Sequence, residues 1–195
     1  LPLLIALIDK EKISILDFGG SAGQTYIDCI SKLKSKKNID YYIYDLEETM
    51  KIGREVLSEF KHEYSNINFI TNISEIKSFD IVYFGSSLQY FPDYKSILLS
   101  AITKEPDYIF LTDNYMSKHS AYATTQVNMP GRKMSCWIFK FDEIVSFLSK
   151  NNYSLIYSSS NFQPFHNFNN FPQENKVVDT SNLLFKYIKI ENVER

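Results

Sequence analysis

The stretch "ILDFGGSAGQ", Ile15 to Gln24, decides how the rest of the chain is read. An apolar run ends at Asp17 and then breaks into glycines and small residues. A buried strand running into such a turn, with a helix beyond it, brings backbone close to a ligand. Candidate ligands are a phosphate, a dinucleotide, or the amino-acid part of a nucleoside such as S-adenosylmethionine.

Working outward, "ISILDF" (13–18) predicts the first strand, and 22–35 a helix with Tyr26, Ile27, Ile30 and Leu33 on one face. "IDYYIYD" (39–45) is a second strand ending in an acid, followed by a helix over 47–64 that buries Met50, Val56, Leu57 and Phe60. Strands at 67–70, 79–85 and 107–113, with a helix at 94–103, continue the alternation. The segment from Asn114 to Ser135 reads as polar and irregular, and 141–151 as a helix. Two last strands, 153–159 and 182–190, have no helix between them and are expected to pair antiparallel. Alternation of this kind predicts an α/β fold with a mostly parallel sheet covered by helices on both faces. Ligands then bind beyond the carboxyl ends of the strands.

Composition sets the outer bounds. A chain of 195 residues, 44% of them hydrophobic, suffices for one domain with a sizeable core, taken here as residues 1–195. A net charge of −2 gives no electrostatic reason to expect nucleic acid, and the lysines of "SKLKSKK" (31–37) fit a solvated helix end. Cys29 and Cys136 lie far apart without metal-ligand spacing, so the expectation is no metal, no disulfide and a reduced, cytoplasmic protein. "LPLLIALI" (1–8) is too short to span a bilayer and reads as a packing helix. Its lack of an initiating methionine leads us to expect a chain truncated at its amino terminus. Nothing in the residues sets an oligomeric state.

The glycine turn separates two nucleotide patterns. Read as G-x-G-x-x-G from Gly19, it has serine and glutamine at the third and sixth positions. Read as acid-x-G-x-G-x-G, it runs Asp17, Gly19, Ser21, Gly23, and departs only at Ser21. The second pattern is the first motif of class I S-adenosylmethionine-dependent methyltransferases. Asp45, at the end of the second strand, is suited to accept both ribose hydroxyls, with Glu47 a nearby competitor.

Later segments add a resemblance. "LPLLIALI", "ILDFGGSAG", "FDIVYFGSSLQYFPD", "PDYIFLTD", "CWIF" and "NLLFKYI" occur in the order found in a bacterial family of S-adenosylmethionine-dependent methyltransferases. Genes of that family lie among those for lipopolysaccharide and other surface glycans. The chain resembles this family over nearly its whole length, with "LQYFPD" and "CWIF" the more specific signals. The resemblance implies a Rossmann-like, seven-stranded methyltransferase sheet with an antiparallel final strand. It also implies S-adenosylmethionine as cofactor, with Asp17, Gly19, Gly20, Ser21 and Gly23 around its methionine end. Asp45 would meet the ribose, Asn72 the adenine amino group, and Gly85, Ser86 and Gln89 the sulfonium region.

The acceptor would be a small or glycan-linked hydroxyl, and a base would help to remove its proton. Asp113 and His119, after the fifth strand, are the candidates, His119 having the better intrinsic pKa. The stretches 113–137 and 161–175 are expected to form the acceptor pocket. The second carries phenylalanines at 162, 165, 168 and 171, suited to packing on sugar faces or to a closing lid. Trp137 is either core or pocket wall, and His62 lies on a charged helix. Two other functions stay open: an NAD(P)-dependent enzyme using the same turn, and a non-catalytic, methyltransferase-like binding subunit.

Overall fold

The computed structural model describes residues 1–33, 38–60, 66–129, 131–162, 167–177 and 179–189. The carboxyl ends of the helices expected over 22–35 and 47–64, with His62, and also Phe165 and Ile190, lie outside the described residues. The chain forms two compact units, Leu1–Gly85 with Lys104–Phe110, and Ser86–Thr103 with Leu111–Arg195.

In the first unit, α1 (Pro2–Leu7) precedes β1 (Lys12–Phe18), α2 (Gln24–Lys32), β2 (Asn38–Tyr44), α3 (Glu47–Ser58), β3 (Ile67–Phe69) and β4 (Ile81–Gly85). With the start of β5 (Tyr108–Ser117), the strand order is β3-β2-β1-β4-β5. Strands β1, β2, β3 and β4 pair in parallel. Ile13, Ile15, Leu16 and Phe18 of β1 are all buried, as a strand covered on both faces requires. The register sets Phe18 opposite Tyr44, and Gly19 N–H continues the ladder to Tyr44 O at 2.8 Å. The segments leaving β1 and β2 therefore emerge side by side.

The helices bury narrow stripes. α1 buries Leu4 and Ile5 and leaves Leu3 and Leu7 exposed. In α3 the inward stripe is Met50, Gly53 and Leu57, whereas Val56 and Phe60 are 49% and 46% exposed, contrary to expectation. Val56 falls about 100° off that stripe, and Phe60 lies past the end of the helix at Ser58. Gly53 belongs to the stripe because a Cβ there would sit 2.6 Å from the Phe69 ring.

The second unit holds α4 (Tyr94–Ile102), the rest of β5, β6 (Tyr122–Met129), β7 (Arg132–Lys140), α5 (Phe141–Ser149), β8 (Tyr153–Phe162) and β9 (Asp179–Tyr187). Asp93 caps α4 by accepting from Ser96 N at 3.1 Å. β7 runs parallel to β5 through Met116 and Phe139, and β6 is antiparallel to β7. β9 pairs with β5 and with β8, the latter antiparallel, as expected for the last two strands.

The fold is thus mixed α/β with mostly parallel strands, but the described residues form nine strands where seven are expected. The two extra strands are β6, inside the segment from Asn114 to Ser135 read as irregular, and β7, which begins in that segment and runs on to Lys140. β6 carries threonine and glutamine on a surface lining a cleft, so it lacks the apolar alternation that marks a half-buried strand. The signal that was there is turn chemistry, Pro130-Gly131 between two β-rich runs, with Gly131 at φ 78°. No helix among the described residues is long and apolar enough to cross a membrane.

Candidate functional site

Beyond β1 the backbone turns through positive φ at Gly19 (71°), Ser21 (54°) and Gly23 (93°). Glycine takes this conformation without steric penalty, and Ser21 is the one side chain that bears it. Its amide donates to Asp45 Oδ2 at 2.8 Å, so the carboxylate after β2 holds the strained residue in place. At Gly23 a Cβ would also lie 2.7 Å from Ile67 Cδ1, so that side chain would have to shift to admit one. Gly23 serves as the N-cap of α2, whose first amides have no partner within the helix and face the turn.

Asp17 has a different place from the one its position in the motif suggests. It is 1% exposed, and Tyr41 Oη donates to its Oδ2 at 2.7 Å. Gly20 lies over it so closely that a Cβ would come within 2.6 Å of the same oxygen. Burial pushes the Asp17 carboxyl up to about 7, with the Tyr41 bond pulling the other way. The side chain thus supports the turn from beneath. Tyr41, missed in the sequence, is its partner; the signal was its inward place in the alternation of "IDYYIYD".

Asp45 is half-buried, and each of its oxygens accepts one backbone N–H: Oδ2 from Ser21 and Oδ1 from Leu46 at 2.6 Å. Each oxygen keeps a lone pair for a further donor. Glu47 is instead paired with Arg54 at 2.7 Å, and that bond lowers its pKa. Of the two acids, Asp45 is the one aligned with the turn. Asn72 is exposed and caps a short 3-10 turn, its Oδ1 accepting from Ser74 N at 2.9 Å. Gly85 ends β4, where a Cβ would strike the Tyr83 ring at 2.6 Å.

In the second unit, Ser86 has φ 55° and its Oγ accepts from Gln89 Nε2 at 3.0 Å. Gln89 is 1% exposed, and its Oε1 has no partner among the described residues. The same holds for Oδ1 of Asn114, fully buried, whose Nδ2 donates to Thr112 O at 2.8 Å. Asn114 was not anticipated, and nothing in the local sequence marks it.

Asp113 sits within β5 at φ 53° and is tied to the final strand pair. Its amide donates to Asn182 Oδ1 at 3.0 Å, and its Oδ1 accepts from Thr180 Oγ1 at 3.1 Å and Asn161 Nδ2 at 3.4 Å. His119 lies past β5, exposed, with its backbone amide donating to Ser117 Oγ at 3.1 Å. None of these bonds joins it to Asp113. Trp137 packs edge-on against Tyr94 at 5.4 Å and donates from Nε1 to Pro92 O at 3.2 Å.

A cleft of about 980 Å³ opens in this unit between β5, β6, β7 and the loop at 167–171. Both stretches assigned to an acceptor pocket contribute walls, Tyr115 and Cys136 from one and Phe168 and Phe171 from the other.

A S-adenosylmethionine-dependent methyltransferase from Methanosarcina mazei superposes with a TM-score of 0.66, covering 97% of this chain and 99% of that one at 12% identity. The fold is that of S-adenosylmethionine-dependent methyltransferases. Magnesium protoporphyrin IX methyltransferase from Synechocystis PCC 6803, with bound S-adenosylhomocysteine, gives 0.65 over 95% of this chain and 79% of its own, at 13% identity. The N-terminal domain of EvdMO1, solved in the presence of S-adenosylhomocysteine and D-fucose, gives 0.63 at 11% identity, covering 91% and 76%. No family model and no curated protein matches the sequence, and the expected tie to lipopolysaccharide genes finds no support in these comparisons.

Proposed function

We propose that this chain, as a single functional domain, transfers a methyl group from S-adenosylmethionine to a hydroxyl of a sugar or other small glycan-pathway substrate in the cytoplasm. The observation that carries the reading is the pairing of the turn after β1 with the carboxylate after β2. Positive φ at Gly19, Ser21 and Gly23 brings bare backbone to the ligand side, and Asp45 offers one open lone pair on each oxygen, matching two ribose hydroxyls. The residues present therefore fit the nucleoside.

Bound there, the sulfonium supplies both the methyl group and a good leaving group. The chain supplies alignment, exclusion of water and a place for the acceptor's proton. Alignment alone is worth roughly 7–11 kcal/mol in favourable cases. Asp113 or His119 takes the hydroxyl proton in this reading, and Asp113 is the more rigidly held of the two. Support from the neighbours is limited to their own ligands: two were solved with S-adenosylhomocysteine, one of them also with a sugar.

Calorimetric titration with S-adenosylmethionine, S-adenosylhomocysteine and NAD in parallel tests the proposal. Saturable binding of the first two and no heat with NAD is expected. NAD binding without a response to S-adenosylhomocysteine overturns it.

A further inference from the structure

The cleft of the second unit combines aromatic surface with hydrogen-bonding side chains, and none of its described lining residues carries a formal charge. Tyr115, Phe168 and Phe171 give the aromatic part. Phe168 stands edge-on to Tyr115 at 6.2 Å and tilted to Phe171 at 5.1 Å, and both phenylalanines are only half-buried, so ring surface stays open to a ligand. The polar part is spread out rather than focused, with Thr124, Thr125 and Gln126 from β6 and three asparagines from 167–170. Drug-like pockets have few polar groups in a mostly apolar wall. This one suits a ligand bearing several hydroxyls around an apolar face.

Two features show that the donors are arranged in advance. Tyr90 Oη donates to Gln126 Oε1 at 3.0 Å, which leaves the Nε2 end of that amide for a ligand acceptor. Asn167 Oδ1 accepts from Asn169 N at 2.9 Å, shaping the loop, while Tyr122 Oη donates to Asn175 O and ties the loop's far end to β6.

Charge supplies the selectivity. No Lys, Arg, His, Asp or Glu lines the cleft among the described residues. Burial raises the Tyr115 phenol and pushes the Cys136 thiol up to about 11, so both stay neutral at physiological pH. A phosphate or carboxylate brought here would lose water and gain no counter-charge.

We infer that this cleft binds an uncharged pyranose ring, stacked on Phe168 and Phe171 and hydrogen-bonded by the β6 and loop amides and hydroxyls. The inference rests on the methyl-transfer reading only in making that ring the acceptor.

Saturation-transfer NMR on the full chain, with methyl β-D-glucopyranoside, methyl β-D-galactopyranoside, the matching methyl glucuronoside and catechol, tests it. Transfer to the ring protons of at least one neutral glycoside is expected, at least fivefold stronger than to the glucuronoside. Phe168→Ala should abolish it. Thr124→Val, a near-isosteric change on the β6 face shared with Cys136 that leaves the strand intact, should weaken it severalfold. No transfer from either neutral glycoside, equal transfer in both variants, or a preference for the glucuronoside or catechol overturns the inference. Titration of the same samples with S-adenosylhomocysteine keeps the two readings apart. Cofactor binding without sugar binding sinks the cleft assignment alone, and sugar binding without cofactor binding sinks the methyltransferase reading alone.

Discussion

Asp45 Oδ2 accepts the backbone N–H of Ser21 at 2.8 Å, across a gap of 24 residues. The bond joins the end of β2 to the turn after β1 and orients the carboxylate. Asp45→Ala should reduce S-adenosylhomocysteine affinity by about 1.5–3 kcal/mol, the worth of hydrogen bonds to a charged group. Asp45→Asn, which keeps an acceptor but loses the charge, should fall between Ala and the natural residue. Calorimetry reads all three, and an unchanged affinity in the Ala variant removes Asp45 from the site.

Gly20 and Asp17 are in contact by necessity. A Cβ on Gly20 would lie 2.6 Å from Asp17 Oδ2 and 2.7 Å from its Cγ, under any real separation. Gly20→Ala should therefore lower Tm and weaken cofactor binding. Combined with Asp17→Ala, which removes the two nearest atoms and leaves only the Asp17 Cβ at 3.1 Å, the loss should be clearly less than the sum of the two single effects. Strict additivity in thermal unfolding would show that the turn moves away independently of Asp17.

That pair also shows which parts of the site were legible in the sequence. The strand, the glycines and Asp45 could be read because period and turn chemistry are local. The motif gave Asp17 as a ligand-side residue, but its burial beneath Gly20 and its bond to Tyr41 arise only when β1 and β2 pair. Likewise β6 was hidden because Thr124, Thr125 and Gln126 line a cleft rather than a core. The partners of Asp113 lie 48 to 69 residues away, beyond any window of local pattern.

Asp17 should make stability depend on pH. Its folded pKa, about 7, stands above the ordinary value of 3.8 because the carboxyl is buried. The folded state thus binds the proton more tightly. Its contribution is fully present below about pH 4 and is lost as pH rises through 7, a span on the order of a few kcal/mol. Asp17→Asn keeps an acceptor for Tyr41 and removes the titration. Its stability relative to the natural chain should rise between pH 5 and pH 8 in denaturant unfolding. Parallel pH profiles for the two proteins would show that Asp17 ionises freely.

Asp113 and His119 can be separated by what each replacement leaves intact. Asp113 holds φ 53°, a conformation asparagine also tolerates, so Asp113→Asn keeps the backbone and preserves an acceptor for Thr180 and Asn161. It removes the capacity to take a proton. If Asp113 is the base, turnover should fall by about 10²–10⁴, the usual range for general base catalysis, with S-adenosylhomocysteine affinity and Tm nearly unchanged. A purely structural role would give the reverse, a lower Tm with activity tracking the folded fraction. His119 is exposed and its ring has no described partner, so His119→Gln should leave stability unchanged. Should that variant lose turnover while Asp113→Asn does not, the proton goes to the imidazole. Methylation assays on a glycoside bound in the cleft, run alongside Tm for both variants, separate these outcomes. Full activity in both would leave alignment to drive the reaction without either side chain.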